Sequence, residues 1–150
     1  MKEEYFQSVQ SLERLHRLFL DVVRAELDSI EMFDINNVQA IIVYNIGTNQ
    51  LTVGELTNRG YYLGSNVSYN LRKMVKNEYV LQVQTPHDRR SSLVKLSLKG
   101  IELYKKLDQA FQKQGEMLNN KCGKETLKQL SGSLQNLELF WNEILVRDSR

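Results

Sequence analysis

Apolar residues recur along the first thirty positions at intervals of three and four: Phe6, Val9, Leu12, Leu15, Phe19, Val22, Val23 and Leu27. Charged and polar residues fill the gaps, so the spacing predicts one long amphipathic helix over residues 2–30. Its apolar stripe is broad enough to face more than one neighbour. A short Phe33-Asp34-Ile35-Asn36 connection leads to a second helix over roughly 36–46, carrying Val38, Ile41, Ile42 and Tyr44, with Asn36 as N-cap and Gly47 as its stop. Thr52-Val53-Gly54-Glu55 then fits a capping box, and Leu51 and Leu56 occupy the positions of a hydrophobic staple. The third helix this starts is short, because Gly60 and Gly64 bracket its far end. A fourth runs from Ser65 to about Asn77, with Val67, Leu71, Met74 and Val75 on one face. Asn66, Ser68, Tyr69, Asn70, Arg72, Lys73 and Lys76 occupy the other.

The period then changes from 3.6 to 2. Tyr79–Gln84 and Leu93–Lys99 alternate as strands, the second with Val94, Leu96 and Leu98 on one face and Lys95, Ser97 and Lys99 on the other. The polar segment between them, residues 85–92, holds the only proline and reads as a hairpin tip bearing two adjacent arginines. Helical spacing resumes after Gly100 with Ile101, Tyr104, Leu107, Phe111, Met117 and Leu118, and Cys122-Gly123 reads as a turn. In the last helix Leu127, Leu130, Leu134, Leu137, Trp141 and Ile144 keep a 3-4-3-4-3 spacing. That narrow seam suits docking on another helix, one candidate being a helix of a second subunit.

The chain is therefore expected to be mainly α with a small antiparallel β-hairpin. Two short helices around a glycine-containing turn, followed by a basic hairpin, describe a winged helix-turn-helix. At 150 residues the expectation is a single soluble domain. No apolar run approaches the ~18 residues that span a membrane, and the charged N-terminal segment is no secretory signal, so a cytoplasmic protein is expected.

Net charge is only +2, but its distribution is uneven. Residues 1–58 carry 4 basic and 9 acidic side chains, residues 59–106 carry 10 and 3, and residues 107–150 carry 6 of each. The basic block coincides with the helix-turn-helix and hairpin, as expected of a protein that holds a polyanion. The major groove of DNA admits one α-helix and shows each base pair by a distinct donor and acceptor pattern. The polar face of the 65–77 helix, with Ser65, Asn66, Ser68, Tyr69, Asn70, Arg72, Lys73 and Lys76, carries side chains able to bond base edges or phosphates. Arg89, Lys95 and Lys99 are candidate phosphate contacts, with simple solvation as the alternative for Arg89 and Lys99. Tyr69 can equally pack on the DNA backbone, on Arg72 or on Lys73.

Other chemistries find little support. His16 and His87 are the only histidines and sit on different elements, so no metal site is expected. Cys122 stands alone, which excludes an intramolecular disulfide. It reads as an inert turn residue more readily than as a redox sensor. No nucleophile elbow, phosphate loop or paired-carboxylate site is present, so neither an enzyme nor a cofactor is expected.

From about Ile35 to Gly100 the sequence resembles the MarR family of bacterial transcriptional regulators. The matching stretches are Leu51-Thr52-Val53-Gly54-Glu55-Leu56 and Val67-Ser68-Tyr69-Asn70-Leu71. The most specific are Asp88-Arg89-Arg90, Leu93-Val94-Lys95-Leu96-Ser97 and Gly100, which fit the family's D-x-R…L-T-x-x-G signature. Ser97 replaces the common Thr. Glu78 stands where the family usually has Gly, and Asn77 is the residue expected to take the left-handed conformation in its place.

The resemblance implies a homodimer on a pseudo-palindromic operator in double-stranded DNA. Residues 1–34 and 101–150 would be dimerisation helices and 35–100 the DNA-binding lobe. Phe6, Val9, Leu12, Leu130, Leu134, Leu137, Trp141 and Ile144 are the expected interface residues. Arg90 would be the minor-groove arginine of the wing, with Asp88 orienting the tip. The family pattern also implies a repressor released by a small aromatic or anionic effector. Leu15, His16, Phe19, Ile42, Tyr61 and Tyr62 are candidate pocket residues, with Arg17 a further polar contact. Two other readings stay open: a winged-helix adaptor for another protein, and a nucleic-acid binder without sequence preference. The basic wing argues against the first, and a steep salt dependence without operator discrimination would mark the second.

Overall fold

A computed structural model gives the architecture. It describes the backbone of residues 1–60, 64–85 and 88–149, and the side chains of 1–59, 66–84 and 92–149. The described elements are α1 (Lys2–Ser29), α2 (Asn37–Ile46), β1 (Leu51–Thr52), α3 (Val53–Gly60), α4 (Gly64–Lys76), β2 (Val80–Thr85), β3 (Asp88–Leu96), α5 (Leu98–Cys122) and α6 (Lys124–Asp148). The chain divides into a unit of Met1–Gln109 and a unit of Ala110–Arg150.

In the first unit the core gathers one face of every element. Val23 and Leu27 of α1, Ala40, Ile42, Val43 and Ile46 of α2, and Leu56 of α3 are buried. So are Val67, Leu71 and Met74 of α4, Val80, Val94 and Leu96 of the sheet, and Leu103 and Leu107 of α5. Val75, assigned by its spacing to the apolar face of α4, is exposed instead. It lies about 100° round the helix from the adjacent Met74, which takes the core position.

The sheet has three strands in the order β1-β3-β2, all antiparallel. β3 pairs on one side with β2, from Val80 opposite Leu96 to Gln84 opposite Ser92, and on the other with Leu51 and Thr52. Two residues are too few for periodicity to reveal, so β1 goes unseen in the sequence. The hairpin is also longer than expected, since β3 begins at Asp88 and only residues 86–87 lie between the strands.

Helix ends follow from capping chemistry. α1 and α4 both stop in a Schellman motif. In α1, Met32 N–H donates to Leu27 O at 3.0 Å and Glu31 N–H to Asp28 O at 3.1 Å. In α4, Tyr79 N–H donates to Met74 O at 2.9 Å and Glu78 N–H to Val75 O at 3.1 Å. The motif needs a left-handed residue, and here glutamates supply it, Glu31 at φ 58° and Glu78 at φ 65°. Glu78 itself, and not Asn77, thus adopts the conformation that the family usually gives to glycine.

α5 starts at Leu98, before Gly100, and this corrects the expectation that a strand runs through Lys99. Ser97 ends the strand by acting as N-cap: its Oγ accepts from Gly100 N–H at 3.1 Å, and its carbonyl accepts from Ile101 N–H at 2.9 Å. Leu98 consequently leaves the core face assigned to it and is 87% exposed.

In the second unit α6 has no buried residue, and Gly123, at φ 82°, forms the turn before it as expected. Leu130, Leu134, Leu139, Phe140, Ile144 and Leu145 are all exposed apolar side chains. Among the described residues no helix is long and apolar enough to cross a membrane.

Candidate nucleic-acid interface

α3 is set by the capping box read from the sequence: Glu55 N–H donates to Thr52 Oγ1 at 3.1 Å, and Thr52 N–H to the Glu55 carboxylate at 3.2 Å. Leu51 and Leu56, the staple pair, are both buried. α4 follows, with Val67, Leu71 and Met74 turned to the core and Asn66, Ser68, Tyr69, Arg72, Lys73 and Lys76 exposed opposite them. No acidic side chain lies on that exposed face. Tyr69 and Lys73 are one turn apart, and the Lys73 ammonium sits 4.7 Å from the Tyr69 ring centroid, a cation–π contact on the helix surface.

Asn70 differs from its neighbours on α4. Its Nδ2 donates to Asn66 O at 2.8 Å, and its Oδ1 accepts from Gln39 Nε2 at 3.1 Å. Both ends of this amide thus have a partner within the chain. Lys99, a candidate phosphate contact by its charge, is likewise engaged. Its Nζ pairs with Asp34 Oδ2 at 2.7 Å, donates to Asn77 O at 2.9 Å and lies 4.2 Å from the Tyr79 ring centroid.

Asp34 is the centre of that network, since Tyr79 Oη also donates to its carboxylate, at 2.6 Å. Partial burial pushes the Asp34 carboxyl upward. The hydrogen bonds from Lys99 and Tyr79 and the Lys99 charge outweigh this and hold it below the usual carboxylate range. For Tyr79, burial first and the Asp34 bond and charge second push the phenol well above its ordinary value, so it stays protonated as a donor. Asn77 Nδ2 donates to Asp34 O at 3.0 Å. Arg24 secures the same linker from α1, donating to Ile35 O at 3.2 Å and Met32 O at 3.1 Å.

On the wing, Lys95 is half-buried in β3 opposite Leu81, and Gln82 Nε2 donates to Ser92 Oγ at 2.9 Å across the two strands. The side chains of Ser65, Asp88, Arg89 and Arg90, and both Tyr61 and Tyr62, lie outside the described residues.

Of the candidate effector residues, Ile42 is fully buried in the core, and Leu15, His16 and Phe19 are exposed on α1. Of the expected interface residues, Phe6, Leu130, Leu134 and Ile144 are exposed, and Val9, Leu12, Leu137 and Trp141 are half-buried. Among the described residues no cluster of three or more His, Cys, Asp or Glu side chains could hold a metal ion.

A capped helix pair with a basic polar second helix, followed by a β-wing, defines a winged-helix DNA-binding protein. Residues 35–100 match the family model described as a winged helix DNA-binding domain. Over 138 residues the chain is 36% identical to the exopolysaccharide II synthesis transcriptional activator ExpG of Rhizobium meliloti, covering 91% of this chain and 71% of that protein. In fold it is similar to Streptococcus pneumoniae FabT in complex with DNA, with a TM-score of 0.76 at 18% identity over 93% of this chain and 99% of that one. It is also similar to Staphylococcus aureus MarR in complex with salicylate and kanamycin, with a TM-score of 0.74 at 19% identity over 95% and 93%. The chain belongs to the MarR family of winged-helix transcriptional regulators, and it is a regulator, not an enzyme.

Proposed function

We propose that this protein acts as a homodimer on a pseudo-palindromic operator, with α4 in the major groove and the wing of each protomer over the adjacent minor groove. The observation that carries this reading is the division of α4. Three core side chains hold one face, and six polar or basic side chains, with no acidic one, leave the other face free. Asn66, Ser68, Tyr69 and Arg72 are the side chains assigned to bases or nearby phosphates. Lys73, Lys76, Arg89 and Lys95 are assigned to the phosphate backbone, Arg90 to the minor groove, Ser65 to the phosphate at the start of α4, and Asp88 to orienting the tip.

Dimerisation is supported by apolar surface that one chain leaves uncovered, on α1 at Phe6, Leu15 and Leu18 and on α6 at Leu130, Leu134 and Ile144. Large apolar side chains left exposed along a helix are commonly covered by a partner. One short helix reads only a few base pairs. Two copies about one helical turn apart, ~34 Å, nearly double the specific contact energy. The regulatory reading is a repressor released by a small aromatic or anionic effector. Its support is the family resemblance and the salicylate in the S. aureus MarR complex. Against the sign of regulation stands ExpG, which is an activator.

The deciding experiment is genome-wide mapping of bound sites, followed by reporter assays at the promoters found. A shared palindrome with half-sites one turn apart, and derepression on deletion of the protein, are expected. Scattered binding without a common palindrome overturns the operator reading, and loss of transcription on deletion overturns the repressor assignment alone.

A further inference from the structure

We infer that Gln39, a buried residue of α2 without access to DNA, is a specificity-determining positioning residue that sets the rotation of the recognition helix α4. The inference rests on the reading of α4 as the element that enters the major groove.

Gln39 is only 5% exposed, and it is the one buried polar residue among the described side chains. Every polar atom of its side chain is directed. Its Oε1 accepts from Asn36 N–H at 3.2 Å, completing a reciprocal capping box in which Gln39 N–H donates to Asn36 Oδ1 at 2.8 Å. That box holds the side chain at the N-terminus of α2. Its Nε2 is left to point across to α4, where it donates to Asn70 Oδ1 at 3.1 Å. Asn70 in turn donates to Asn66 O, one turn nearer the start of α4. A continuous chain of hydrogen bonds therefore runs from the α1–α2 linker, through the cap of α2, to the two asparagines in the first half of α4. The same linker grips the far end of α4 through Asn77 and Asp34 O, and the residue just beyond through Tyr79 and Asp34.

Apolar packing alone leaves such a helix freedom to turn, because Val67, Leu71 and Met74 meet a core that is not directional. A hydrogen bond from a buried amide is directional. At a side-chain radius of about 5–6 Å, a turn of about 10° moves the tip of a contacting side chain by about 1 Å. That displacement breaks a bond whose working range spans about 0.5 Å, while a flexible lysine still reaches its phosphate. Losing the Gln39–Asn70 bond should accordingly damage base reading more than overall attraction to DNA.

The test uses the full-length protein and a duplex selected from a random library by the wild-type protein, with a scrambled duplex of equal length as reference. Gln39→Glu keeps the acceptor for Asn36 N–H and removes the donor to Asn70. Affinities for both duplexes are measured by fluorescence anisotropy across a salt series, beside thermal unfolding. The expected result is a fall of about tenfold in the selected-to-scrambled ratio, the scale of one degraded base contact, with scrambled affinity and salt slope retained. In the Asn70→Ala background the same change should lower the ratio no further. Gln39→Leu, which removes the donor together with the capping-box acceptor and adds no charge, should reproduce the loss and so exclude an effect of the new carboxylate. An unchanged ratio in folded Gln39→Glu and Gln39→Leu, or a parallel loss on both duplexes, overturns the inference and leaves the function of α4 intact. Failure of the wild-type protein to enrich any sequence overturns the operator reading itself, and the inference with it.

Discussion

Gly100 lies so close to the Tyr79 carbonyl oxygen that a Cβ on it would overlap that atom, and it would also press on the Leu96 side chain at 3.1 Å. The Tyr79 oxygen has no room to yield, since it accepts the Ser97 N–H at 3.0 Å where β3 hands over to α5. Gly100→Ala should therefore destabilise the protein by about 2–3 kcal/mol, as overpacking against backbone does. Urea unfolding followed by circular dichroism checks this. A loss below about half a kcal/mol, ordinary for an exposed site, would contradict it.

Ser97 explains the Ser-or-Thr position of the signature in the same structural terms. Its hydroxyl caps α5 through Gly100 N–H and donates to Glu78 O at 2.5 Å, joining the end of α4 to the start of α5. Ser97→Ala should cost about 1–2 kcal/mol, while Ser97→Thr, which keeps the hydroxyl, should stay within about half a kcal/mol of the natural protein. Equal unfolding midpoints for Ser97→Ala and Ser97→Thr would remove the capping role.

Glu78 holds φ 65° to close the Schellman motif of α4, a conformation that costs a residue with a Cβ about 1–2 kcal/mol. Part of this returns when the loss of flexibility by glycine on folding is counted, so Glu78→Gly should stabilise by about 0.5–1 kcal/mol. Thermal unfolding reads the change. A destabilised Glu78→Gly would mean that the glutamate side chain makes up for its backbone strain.

Much of this was legible because it is local. Thr52 and Glu55, Asn36 as a cap, and the Gly47 and Gly123 stops all act within one helical turn, and their identities alone specify their chemistry. The basic face of α4 follows from periodicity once Val67 and Leu71 are assigned to the core. What escaped is long-range or competitive. Gln39 meets Asn70 31 positions away, and Lys99 meets Asp34 65 positions away, so no spacing rule connects them. Leu98 fits a strand by alternation, but the Ser97 cap starts a helix there first. Glu78 against Asn77 was decided by hydrogen-bond register: Met74 and Val75 carbonyls place the left-handed residue at 78, whatever its propensity.

Asp34 provides a pH signature. Its carboxyl titrates below the usual value when folded, so the stability it contributes is complete above about pH 4, the unfolded value. As pH falls from about 4 through the folded value, the carboxylate takes up a proton and the contribution is lost. Asp34 and Lys99 are both well exposed to solvent, at 48% and 40%, so screening limits the pair to under about 1 kcal/mol. Asp34→Asn should thus be slightly less stable at pH 7 and should converge with the natural protein once the pH has fallen below the folded value of Asp34. Unfolding midpoints measured across that range test it, and parallel curves would refute the assignment.

Two wing substitutions should separate reading from attraction. Arg90→Ala should weaken binding to the selected duplex by about 1–3 kcal/mol with the dimer intact, the scale of one lost groove contact. Lys95→Ala, which removes a charge assigned to a phosphate, should lower affinity for all duplexes alike and reduce the salt slope by about one. Loss of sequence discrimination in Lys95→Ala would move that residue from the backbone to the bases.

Leu134 tests the assembly on which the other readings depend. It is 42% exposed on α6, so a charge placed there meets solvent in the isolated chain and should leave helix content unchanged. In a dimer whose seam it joins, Leu134→Glu buries a carboxylate without a partner, which costs several kcal/mol in each protomer. The variant should therefore sediment at the 17.5 kDa of one chain, and the natural protein at twice that mass. Operator affinity should fall by about a hundredfold or more, because each chain then engages one half-site with its own contacts alone. Scrambled duplex, held mainly by phosphate charge, should lose less. A Leu134→Glu protein that still sediments at double mass would place the dimer seam elsewhere on the exposed apolar surface.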